Sequence, residues 1–196
     1  MASTIGTVKR VLLEEAEHAV GSGAAYLDLR RVRDYLELHI PGSLSLQYEF
    51  GPGMQQRARD CIPLAVPLVV LDDGVNDMPA VAGALRGKGF AVVGVLEDGL
   101  NAWTKAHGAP ASSDVIPAKS RPSGTLLSVG DPGSPRLDDA LFIPAGKLWD
   151  RVDEVPRDEA VTVIAGRGVR AALAVGVLER AGFNKVGFWE TRPRVR

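Results

Sequence analysis

Of the 196 residues, 45% are apolar and 24% charged, a balance that excludes a charge-rich disordered chain and supplies side chains for a packed core. The 23 basic and 24 acidic residues nearly cancel, so no overall field draws the chain to nucleic acid or to an anionic membrane surface, and any anion site has to be local. There is no run of eighteen apolar residues and no apolar leader before a small-residue cleavage site, so a soluble, cytoplasmic protein without a membrane partner is expected. The single cysteine, Cys61, excludes an intramolecular disulfide and a multi-cysteine metal site. His18, His39 and His107 show no ligand spacing, and no metal or cofactor is expected.

Along the chain, Val8, Val11, Leu12, Ala16, Ala19 and Val20 recur at helical spacing until Gly21 and Gly23 stop the run. Ala24 to Leu29 is a short apolar segment that suits a buried strand, and Pro67 to Leu71 and Phe90 to Leu96 read the same way around a helix from Ala80 to Arg86. The Pro-, Ser- and Gly-rich stretch that follows lacks periodicity and marks a linker. The pattern then restarts with strands at Thr125 to Val129 and Ala160 to Ile164 and a helix at Ala171 to Ala181. Strands alternating with helices predict parallel sheets.

The second half repeats the first. Residues 71–90 and 164–183 align without a gap, placing Gly83, Leu85, Gly89 and Phe90 on Gly176, Leu178, Gly182 and Phe183. His39-Ile40-Pro41-Gly42 also matches Phe142-Ile143-Pro144-Ala145. An internal duplication explains both matches in order.

The segments LDLR (27–30), HIPGS (39–43), VVLDDG (69–74), a helix ending in Gly89-Phe90 and VLEDGLNAW (95–103) together resemble the rhodanese-like domain family. The resemblance implies an α/β fold of two rhodanese-like modules, each a small parallel sheet flanked by helices. Module one spans 1–110, the linker 111–123 and module two 124–196. The second module is expected to be short or truncated, because SVG (128–130) replaces the family's D-x-R and no closing G-G-x-x-x-W follows.

The family moves a sulfane sulfur on a cysteine thiolate within a C-x-x-G-x-R loop. Counting back 17 residues from the glycine of each Gly-Phe pair places Asp72 and Ala165 at the cysteine position. Neither offers a soft nucleophile, so thiosulfate-type sulfur transfer is not expected at either loop. Asp72, Asp73 and Asp77 concentrate negative charge that opposes an anion in the first loop. The second loop reads Ala165, Gly166, Arg167, Gly168, Val169, Arg170, and its glycines and arginines at a helix N-terminus predict a ligand site. The partners it points to are a small sulfur or phosphorus oxyanion, or another protein.

The remaining residues read more plainly. Asp77 before Met78-Pro79 suits a helix N-cap, and a calcium or magnesium site from the three aspartates lacks the expected liganding loop. By the same resemblance Asp28 and Arg30 form a structural pair and His39 orients its turn. Cys61 is expected to be buried; the rival reading is an active sulfurtransferase, either through Cys61 or as a fragment of a longer multi-rhodanese protein. Cysteine phosphatases share such folds but need the same missing thiolate.

Overall fold

The computed structural model describes residues 8–48, 53–135, 137–165 and 168–191. The first half contains β1 (Arg10–Val11), α1 (Leu13–Gly21), β2 (Ala25–Asp28), α2 (Val32–Glu37), β3 (Leu44–Ser45), α3 (Gly53–Cys61), β4 (Leu68–Leu71), α4 (Met78–Gly87), β5 (Val92–Leu96) and α5 (Gly99–His107). The second contains β6 (Asp114–Ile116), β7 (Thr125–Ser128), β8 (Leu141–Phe142), α6 (Leu148–Arg151), β9 (Val161–Ile164), α7 (Val169–Arg180) and β10 (Val186–Trp189). Two five-stranded parallel sheets result, ordered β1-β5-β4-β2-β3 and β6-β10-β9-β7-β8. The order is the same when each strand is counted from the start of its own half.

The central strands are apolar along their length because both faces are covered: every residue of β2, β4 and β9 is buried. The helices differ in how they are covered. In α4 the buried positions Met78, Val81, Ala82 and Leu85 form one stripe, as for a helix lying on a sheet. In α7 all residues from Ala171 to Leu178 are buried, so the helix is enclosed on every side.

That enclosure comes from the other half. A methyl group built on Gly176 would lie 1.9 Å from the Ser43 carbonyl oxygen, so α7 rests directly on the backbone of the Pro41–Ser43 turn. Glu179, one turn further on, accepts a 2.7 Å hydrogen bond from the Gly42 N–H and lies 3.0 Å from Nε2 of His39. His39 is fully buried and stacked on Tyr35, and its Nδ1 lies 2.8 Å from the Tyr35 carbonyl oxygen. An oxygen atom therefore faces each ring nitrogen, and the two contacts fix the orientation of the imidazole. One apolar cluster runs through the seam, from Leu27, Leu44 and Met54 to Leu127, Val163 and Val175.

Two expectations are corrected. The helix expected from Val8 begins only at Leu13; Arg10–Val11 instead pairs with β5 as an edge strand, and Leu12 is 70% exposed. The stretch 111–123 expected as a linker contains β6, whose three residues pair with β10. Both strands are too short for periodicity to register them.

The aligned glycines allow a controlled test. Gly83→Ala, on an exposed face with nothing within 4 Å of the new methyl, is expected to be neutral or stabilising by up to about 1 kcal/mol. Gly176→Ala is expected to cost about 2 kcal/mol or more, lowering Tm by at least about 4 °C in thermal unfolding. Equal effects would contradict the seam.

Candidate functional site

The loop between β4 and α4 lies at the C-terminal edge of the first sheet, where open parallel sheets hold ligands. Its backbone is anchored by the Asp72 N–H donating to the Leu96 carbonyl at 3.1 Å. Asp72 then accepts from the Gly74 N–H at 2.9 Å and from Arg10 at 2.7 Å. Asp73 accepts from the N–H groups of Val75 (3.0 Å) and Asn76 (2.9 Å) and from the Asn76 side chain (2.5 Å). Asp77 caps α4 by accepting from the Ala80 N–H at 3.2 Å, with Pro79 in the first turn.

All three expected negative charges are thus engaged, and the loop's own carboxylates hold the amides that would otherwise face a bound anion. Burial alone would raise the Asp72 carboxyl, but the Gly74 N–H and Arg10 together outweigh it and hold the group below its ordinary value. A cavity of about 290 Å³ opens beside the loop, with Asp72, Asp73, Asp98 and Asn101 in its wall. Asp28 and Arg30 also line it, joined through contacts of 2.6 to 3.1 Å with Asp28 buried. The cavity is therefore acidic, without an uncommitted guanidinium among these residues.

The second loop begins at Ala165, a buried residue after β9, whose carbonyl accepts the Gly168 N–H at 2.6 Å. Gly166 and Arg167 lie outside the described residues. Gly168 turns the chain with φ 86°, a conformation that disfavours side chains, and α7 starts at Val169. No side chain among the described residues caps this helix, in contrast to α4. Arg170 reaches Asp131, with Nη2 3.0 Å from Oδ1, and both side chains are partly exposed. The structure therefore brings Ala165, Gly168, Val169 and Arg170 together and adds Asp131, which no sequence motif marks.

Cys61 ends α3 and is buried. Desolvation pushes its thiol up to about 11 against the opposing field of Arg170, with Asp60 and Asp131 raising it further and Arg57 lowering it. Among the described residues no group of three His, Cys, Asp or Glu side chains is arranged to hold a metal, and no helix is long and apolar enough to cross a membrane.

Two parallel sheets of this order, each flanked by helices and with a strand-to-helix loop at its C-terminal edge, define an α/β class of fold. The family model of the Rhodanese-like domain matches residues 12–106, so this part of the chain is similar to that family. Among solved structures, the chain is similar to a thiosulfate sulfurtransferase from Pseudomonas aeruginosa (19% identity, TM-score 0.45), covering 95% of this chain but 41% of that one. It is similar to the 3-mercaptopyruvate sulfotransferase SseA from Escherichia coli at 18% identity and TM-score 0.45, covering 93% of this chain and 98% of that one. The Alr3790 protein of Anabaena sp. is 25% identical with a TM-score of 0.43, over 51% of this chain and 79% of that chain. No curated protein matches.

The lowered Asp72 carboxyl has a pH consequence of defined sign. Its stabilising effect is present above the unfolded-chain value near 4 and is lost as pH falls through the folded value. Urea midpoints between about pH 5 and 2 are expected to fall less for Asp72→Asn than for the wild type; parallel curves would show that the carboxylate does not hold this loop.

Proposed function

We propose that the chain is a pair of degenerate rhodanese-like halves, both without the family's cysteine, that does not perform thiosulfate-type sulfur transfer and binds a small sulfur or phosphorus oxyanion at the second loop. The observation that carries this reading is the contrast between the two helix starts. The Gly74, Val75 and Ala80 amides around the start of α4 are taken by Asp72, Asp73 and Asp77, whereas no side chain among the described residues caps α7. Uncapped N–H groups at the positive end of a twelve-residue helix favour an anion.

Arg170 supplies the charge. Its pair with Asp131 is exposed enough to contribute little, on the order of 0–1 kcal/mol, so the guanidinium can exchange this carboxylate for a bound oxyanion at small cost. Sulfur transfer lacks its nucleophile: Asp72 and Ala165 carry no thiol. Burial pushes the Cys61 thiol up to about 11, which keeps it in the protonated, weakly nucleophilic form at neutral pH.

Calorimetric titration with thiosulfate and with inorganic phosphate tests the binding. Arg170→Ala is expected to weaken it about tenfold or more, as loss of a charge-assisted hydrogen bond does, and unchanged affinity would remove the second loop as the site. Thiocyanate formation from thiosulfate and cyanide is expected to equal the enzyme-free blank. Turnover above it, with a persulfide on Cys61 by mass spectrometry, would replace this reading with an active sulfurtransferase.

A further inference from the structure

A groove of about 830 Å³ runs between the halves, with α2 as one wall and β6 and β10 as the other, a size that accommodates a small organic molecule. Its base is fixed by the Ser113 N–H donating to the Leu36 carbonyl at 2.8 Å, a hydrogen bond that joins the two walls. The apolar lining comes from Val32 and Leu36 on one side and Val115 and Phe188 on the other, and Val115 is 42% exposed although it belongs to a strand. The Phe188 ring is held against Gly168, where a methyl group would lie 3.1 Å from Cζ. Ser113 is more than nine-tenths buried in this wall, and its Oγ has no hydrogen-bond partner among the described residues.

The charged residues give the groove a sign. Glu37, Asp114 and Glu190 line it against the single guanidinium of Arg33, a net excess of carboxylate around an aromatic ring. An aromatic face beside carboxylates attracts an ammonium group, and the aliphatic side chains cover an apolar body.

We propose that this groove is a binding site for an organic cation with an apolar body, of the arylalkylammonium class. The site is distinct from the second loop in the charge it selects and goes beyond the oxyanion reading. The carboxylates hold the ammonium at the rim, and Phe188 and Val115 contact the apolar portion.

Three probes of one shape test it: phenethylammonium, the neutral 2-phenylethanol and the anionic 3-phenylpropionate, each titrated into the ¹⁵N-labelled chain. The cation is expected to bind at least about fivefold more tightly than the alcohol, and the carboxylate more weakly still, with amide shifts centred on Val115, Phe188 and Glu190. The double variant Glu37→Gln, Glu190→Gln changes two exposed side chains and is expected to keep the wild-type unfolding midpoint while reducing the cation to the affinity of the alcohol. The proposal is overturned by a carboxylate that binds as tightly as the cation, by shifts elsewhere or none, or by a preference that survives the double variant. Since thiosulfate and phosphate are absent from these titrations, the oxyanion reading stands or falls separately.

Discussion

The backbone contact between Gly176 and Ser43 is the constraint on which the rest of the molecule depends. It lets α7 lie against the 41–43 turn at a distance that no side chain permits, and Glu179 then fastens the same turn through Gly42 and His39. With α7 fixed there, the two sheets share one apolar cluster. The second loop is carried to α2, where Gly168 lies near Val32, and the field of Arg170 reaches Cys61 at the end of α3. Both the second loop and the groove therefore owe their shape to residues of both halves.

Within this frame, two loops of related position resolve the same electrostatic problem differently. A strand-to-helix turn leaves several amide donors without backbone partners. In the first loop, carboxylates two or three residues away accept from those donors, and Arg10, reaching across from the edge strand, balances Asp72. The chain supplies its own anions. In the second loop Ala165 stands where the first has Asp72, Gly168 closes the turn on the Ala165 carbonyl, and Asp131 pairs with the Arg170 side chain.

Much of this was readable from the sequence, because central parallel strands are apolar runs bounded by glycine and charge: β2, β4, β5, β7 and β9 lie where composition put them. The capping role of Asp77 was also local, since an aspartate before Met-Pro has few other uses. The seam was less accessible. The apolar run from Ala171 to Leu178 reads as a helix, but its all-round burial, the trace of a second packing surface, is obscured by comparison with α4. Gly83 and Gly176 align yet have different roles, one exposed and one against a backbone, because the partner of Gly176 lies more than a hundred residues away. Arg10 and Asp131 were missed for the same reason, as ion pairs across sheet edges leave no spacing to read, and the short edge strands β1 and β6 carry too few residues for a period.

The central claim is that the first loop's amides are occupied from within and the second helix start is open to an anion. The most direct test is a ¹⁵N-resolved titration of the whole chain with thiosulfate, following backbone amides at both loops. Saturable shifts at Val169, Arg170 and Ala171, with Gly74, Val75 and Asn76 unmoved, are the predicted result. Shifts at Gly74, Val75 and Asn76 would contradict it, because they would show those donors free to take an anion from solution.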